Sequence, residues 1–197
     1  MTSIVYKKSY SAPPIDRREA LRYAGVRGES AEAEAMLDEC INDAVDKLSY
    51  KLCYAEHPLT RVENALDFGF AKVVSEKLSV HLSECDRVII LAATIGIEID
   101  RLAARYSRIS PAKALILQGL GAERIEAVAD LFCRELTDSG LVLTSRFSAG
   151  YGDLSLEFQR EIFRALDCQK NIGLTLNESL IMSPTKSITA IIGIKEE

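Results

Sequence analysis

The feature that most constrains the fold is the near-continuous apolar run from Val88 to Ile97, ten residues long and followed directly by Glu98 and Asp100. A membrane-spanning helix needs about 20 such residues. A run this short, rich in isoleucine and valine, predicts instead a strand buried on both faces, over Arg87–Thr94, with Gly96 ending it. The chain can afford such a strand. It has 197 residues, 48% hydrophobic, a length that buries a sizeable core and fits one domain, 1–197. The net charge of −5 is a poor electrostatic basis for holding nucleic acid or an anionic membrane, and neither is an expected partner. The first ten residues carry lysines but no apolar segment of a secretory signal, so a cytoplasmic location is expected.

Helix signals surround this strand. Residues 2–7 read as an edge strand, and Pro13-Pro14 breaks the chain before Asp16, which caps a short helix running to Tyr23 and stopped at Gly25. Ser30 caps a longer one, in which Leu37, Ile41, Ala44, Val45, Leu48 and Leu52 keep the three- and four-residue spacing of a buried stripe. A β-branched and aromatic stretch reaches about Ala71, and a helix follows through Leu82. Helical periodicity resumes over Ile97–Tyr106, and Ser110-Pro111 opens a long helix that ends before Gly140. Leu115, Ile125, Val128, Phe132 and Leu136 are expected on its buried face, and Glu123, Asp130 and Arg134 on its polar face. Gly119 and Gly121 argue against an unbroken rod. A short strand to Thr144, a loop over Arg146–Ser155, a helix to Asp167 and a strand over Ser187–Lys195 complete the pattern. Helices alternate with strands without a glycine fingerprint, which predicts an α+β fold with a mainly antiparallel sheet.

Most familiar chemistries are missing. GxGxxG, GxxxxGK[ST] and GxSxG do not occur. The two histidines, His57 and His81, stand at no metal-ligand spacing, and the five cysteines form no CxxC pair and read as reduced core residues. One loop stands out. Arg146-Phe147-Ser148-Ala149-Gly150-Tyr151-Gly152-Asp153 gathers a guanidinium fork suited to a carboxylate, two glycines, an aromatic face and an acid, which reads either as a turn with a surface arginine or as a small-molecule clamp. Glu126 sits about 100° round the helix from Ile125, at the edge of the apolar stripe, where a half-buried carboxylate seeks a cation.

Arg146, Gly150 and Tyr151 as an RxxxGY loop, followed by Gly173, Leu176, Asn177, Glu178, Ser179, Met182, Pro184 and Ser187, resemble the activation (reactivation) domain of cobalamin-dependent methionine synthase. The resemblance is good over residues 87–194 and faint over 1–60. It implies a bent, mainly antiparallel sheet flanked by helices, and an S-adenosylmethionine site serving methionine biosynthesis. Carried across, Arg146 would hold the methionine carboxylate, Glu126 the amino and sulfonium end, and the backbone of Ala149, Gly150 and Tyr151 the adenine. Tyr151 would face the corrin, and Asp16 would be a further acidic contact.

The chain departs from the family at Gly152-Asp153-Leu154-Ser155, in place of a Pro-Ala-Cys-Pro turn, and at Ser183, in place of an aromatic residue. The cobalamin signature DxHxxG is missing as well, since Ala55 and Ser79 stand two positions before the histidines. The resemblance therefore implies a component of a methyltransferase rather than a complete enzyme. Its expected role is reductive methylation of cobalamin on a partner chain, a methionine synthase or related corrinoid protein, with a flavodoxin-like reductant. The alternative is a non-catalytic docking protein for a corrinoid methyltransferase that no longer uses S-adenosylmethionine.

Overall fold

In a computed structural model, which describes residues 3–195, four antiparallel strands form the central sheet in the order β1 (Tyr6–Tyr10), β2 (Tyr50–Pro58), β6 (Cys85–Thr94) and β9 (Ser187–Lys195). The apolar run is β6, in the interior of the sheet. Successive side chains of a strand point to opposite faces, so Ile89, Leu91 and Ala93 enter one core while Val88, Ile90 and Ala92 enter the other. Both faces are covered, which is why the sequence is continuously apolar rather than alternating.

The first face is covered by α1 (Arg17–Tyr23), α2 (Ala31–Ala44), α4 (Glu98–Tyr106) and α5 (Pro111–Asp138). The second carries α3 (Glu76–His81), α6 (Phe158–Leu166), α7 (Cys168–Ile172) and a small sheet of β3 (Thr60–Val62), β4 (Ala65–Asp67) and β5 (Lys72–Val73). A two-stranded ribbon, β7 (Thr175–Leu176) with β8 (Met182–Ser183), leads into β9. No helix among the described residues is long and apolar enough to cross a membrane. The α+β fold with antiparallel sheets is as expected, as are the caps at Asp16, Ser30 and Ser110, each accepting a hydrogen bond from the third residue beyond it.

Several expectations are corrected. The N-terminal strand lies at Tyr6–Tyr10 rather than 2–7, with residue 2 outside the described residues. The second helix stops at Ala44, and a single 3-10 turn, Val45–Lys47, follows. Leu52 belongs to β2, paired with Ala93. A spacing of four fits one helical turn and also two strand repeats, so Leu48 and Leu52 satisfied either pattern.

Thr144 is in no strand, although Leu143 makes an isolated bridge to Ile194. The last predicted helix ends as expected, with Asp167 in a left-handed conformation after Leu166, but a further short helix, α7, follows it where none was expected. Helix α5 runs unbroken through 28 residues despite its glycines. At Gly119 α1 comes so close that a Cβ would collide with the Ala20 carbonyl and lie 2.6 Å from the Ala24 nitrogen. Leu115, expected to be buried, is 55% exposed, and Glu123, expected on the polar face, is 4% exposed.

Candidate functional site

The segment after α5 runs along the outer edge of β9. Thr144 donates its N–H to the Gly193 carbonyl at 3.0 Å, and Phe147 exchanges backbone hydrogen bonds with Ile191 at 2.9 and 2.8 Å. Phe147 is buried in the second core. Its neighbour Arg146 consequently points to the opposite side, toward α5. There its Nη2 donates to Glu126 Oε2 and its Nη1 to Asp130 Oδ1, both at 2.6 Å, with Cys133 Sγ at 3.8 Å from Nη1. Glu126, Asp130 and Cys133 follow an i, i+4, i+7 spacing and so share one helix face. Burial disfavours the charge of Arg146, but the hydrogen bond and charge of Asp130, with Glu126 behind them, hold its pKa above the ordinary value. Burial also raises the Cys133 thiol, a weaker nucleophile as a result.

A second cluster sets the opposite wall. Arg124 and Glu123, side chains 1% and 5% exposed, form an ion pair at 2.5 Å. Arg124 also donates to the carbonyls of Pro13 and Pro14 at 2.5 and 2.6 Å, and Glu123 Oε1 accepts the backbone N–H of Asp16 at 3.1 Å. Buried charges need such full pairing. The result pins the Pro13–Asp16 segment against α5, with the Asp16 carboxylate accepting the Glu19 N–H at the start of α1.

Between this segment and the C-terminal half of α5 lies a cleft of about 350 Å³, lined by Asp16, Glu19, Glu126, Asp130 and Arg134 among others. Tyr23, Ala127 and Leu131 supply apolar surface. Such a volume falls at the lower end of the range typical of small-molecule sites. Five carboxylates line it against one guanidinium, so it favours a ligand with positive charge.

Of the residues singled out in the sequence, Asp16 and Glu126 meet in this cleft. Arg146 reaches Glu126 but is not part of the lining. Ala149, Gly150 and Tyr151 are not in it either. Ala149 is buried, and Gly150 donates its N–H to the Leu154 carbonyl at 2.8 Å with φ of +86°. Tyr151 is 67% exposed, its ring edge-on to Phe147 at 5.3 Å. Asp153 holds this loop down by accepting hydrogen bonds from the Ser75 hydroxyl and the Glu76 N–H. The Gly173–Ser187 segment forms the β7–β8 ribbon, where Asn177 Oδ1 accepts the Ile181 N–H.

Sequence reasoning placed Asp130 and Arg134 on a solvent-facing side and so passed over them. The signal was present: Glu126, Asp130 and Arg134 recur every four residues, one straight ladder on a helix.

No family model and no curated protein matches the sequence. Among solved structures the chain is similar to one described as "Crystal Structure of the MetH Reactivation Domain bound to AdoHcy", at a TM-score of 0.71 and 18% identity over 97% of this chain and 78% of that one. The chain therefore has the fold of the MetH reactivation domain.

Proposed function

We infer that the cleft between Asp16 and α5 binds S-adenosylmethionine, and that the chain presents this methyl donor to a corrinoid carried by a separate protein, a methionine synthase or a related methyltransferase. The observation that carries the reading is the acidic cleft itself, found in a fold whose solved counterpart holds AdoHcy. S-adenosylmethionine brings two positive groups, a sulfonium and an α-ammonium. At an effective dielectric near 20, each unit charge about 4 Å from a carboxylate gains roughly 4 kcal/mol before desolvation is subtracted. Glu126 and Asp16, on facing walls, suit those cations.

This chain's own contribution is positioning, which needs no general base: it holds a sulfonium methyl at a fixed place and excludes water from one side. When reduced by a flavodoxin-like donor, the partner's corrinoid supplies the nucleophile. The exposed Tyr151 ring is suited to face the incoming partner, and its position outside the cleft also gives the docking-only alternative its support.

Titration calorimetry with S-adenosylmethionine separates the two. Micromolar binding, weakened about tenfold or more by Glu126→Gln, supports the donor role, since a charge-assisted contact contributes roughly 1.5–3 kcal/mol. Absence of binding at millimolar ligand leaves only docking. Transfer of labelled methyl to a reduced corrinoid protein in the presence of the chain then tests the full reading.

A further inference from the structure

The loop that carries Tyr151 is tied to α3 at both ends. At its start, His81 Nε2 donates to the Ser145 carbonyl at 2.8 Å, and the His81 ring lies 5.2 Å from that of Phe147. At its end, Asp153 Oδ1 accepts the Ser75 hydroxyl at 2.5 Å and Oδ2 the Glu76 N–H at 2.7 Å, with the Lys77 N–H 3.3 Å from Oδ1. Those two N–H groups belong to the first turn of α3, where the helix itself offers no carbonyl to accept them. Ser75 is 3% exposed, and its hydroxyl also accepts the Leu78 N–H at 3.1 Å, so donation to Asp153 completes its bonding. The helix is a firm support. Leu78 and Leu82 are fully buried in the second core, and Arg61 donates to the carbonyls of Leu82 and Cys85 at 2.5 and 3.3 Å.

Between these ties the loop folds on itself. The Tyr151 N–H donates to the Ser148 carbonyl and the Leu154 N–H to the Tyr151 carbonyl, both at 3.1 Å. The Lys77 stem lies against Gly152, where a Cβ would stand 2.7 Å from Lys77 Cδ. Gly152 and Ser155 occupy the places of two prolines in the family this chain resembles, so stiffness here has to come from contacts rather than from rings. Asp153 supplies the strongest of them. The Ser75 hydroxyl, with the Glu76 and Lys77 N–H groups behind it, holds its carboxyl below the usual aspartate range, and the acceptor stays charged at neutral pH. An exposed ring on a loose loop would have to be immobilised at every encounter with a partner, whereas a ring already held avoids that entropy loss.

We propose that α3 is a splint for the partner-facing loop and that Asp153 is a positioning residue, acting through Tyr151 when the corrinoid protein docks. This rests on the reading of the chain as a methyl-donor component whose Tyr151 faces its partner.

The test combines hydrogen exchange of the full chain with labelled methyl transfer from S-adenosylmethionine to a reduced corrinoid protein. Asp153→Ala is expected to speed exchange over residues 147–154 about fivefold, the typical effect of one capping side chain. It should raise the KM for the corrinoid protein by about the same factor and leave the maximal rate within about twofold. Asp153→Asn, which keeps an acceptor for Ser75, is expected to recover most of both. In a Tyr151→Ala background, Asp153→Ala should add nothing to the KM, because the two residues act as one. Unchanged exchange or an unchanged KM in Asp153→Ala overturns the proposal. So does an asparagine variant no better than the alanine one, or a full added loss on top of Tyr151→Ala. A wild type that transfers no methyl refutes the donor reading and the positioning role with it, whereas variants that behave as the wild type refute only the splint.

Discussion

Removing the Arg124 guanidinium is the most severe single-residue test of how the cleft wall is held. Arg124→Met keeps the length and apolar character of the stem but strands the Glu123 carboxylate, whose side chain is 5% exposed, with only the Asp16 N–H as partner. Leaving one member of a buried ion pair unpaired costs about 3–5 kcal/mol. The carbonyls of Pro13 and Pro14 lose their donors as well. A domain of this kind has about 5–15 kcal/mol in total, so the variant should unfold at a much lower urea concentration. Circular dichroism during urea titration reads this directly. Adding Glu123→Gln removes the stranded charge and keeps an acceptor for Asp16, and should restore about 2 kcal/mol or more. A single-variant loss under about 1 kcal/mol, or a double variant no better than the single, would refute the view that this pair is a buried clamp.

Other variants probe separate links of the account. Gly119→Ala, which in an exposed helix would gain about 1 kcal/mol, should instead lose about 1–3 kcal/mol because the added methyl meets the α1 backbone. Gly121→Ala meets the flexible Lys186 side chain at 2.9 Å and should be nearly neutral by comparison in the same urea experiment. Lys113 joins α5 to Asp43 of α2 at 2.9 Å, and its hydrogen bond, followed by that of Tyr106, holds the Asp43 carboxyl below the usual aspartate range. A lowered carboxylate pKa adds stability that is present above the unfolded value and lost as pH falls through the folded one. Lys113→Met should therefore flatten the acid side of the stability profile between about pH 5 and pH 3, and a profile with unchanged slope would contradict that role.

Much of this architecture is legible in the chain because its signals are local. The strand at β6 is marked by an apolar run too short for anything but a twice-covered strand, and α1, α2 and α5 are marked by side chains that cap their first turns. The errors arose where two periods coincide or where tertiary contact overrides polarity. Leu52 fits a helix as well as a strand, and only pairing with β6 decides for the strand. Glu123 is charged yet buried, because Arg124 and the Asp16 backbone complete its hydrogen bonds, and no pattern within α5 reveals partners more than a hundred residues earlier.

The candidate site was half legible. Helix geometry put Glu126 at the edge of the apolar stripe and the resemblance put it with Arg146 at opposite ends of one ligand, whereas the structure joins the two in a direct ion pair. That Arg146 is engaged by two acids depends on a loop packed along β9 and is visible only in three dimensions.

The central claim is that the Asp16–α5 cleft receives the methyl donor. A crystal structure of the protein grown with S-adenosylhomocysteine, the demethylated product, tests it most directly. The account predicts ligand density between Asp16 and Glu126, inside the cleft against α5. Density elsewhere on the surface, or an empty cleft at saturating ligand, contradicts it.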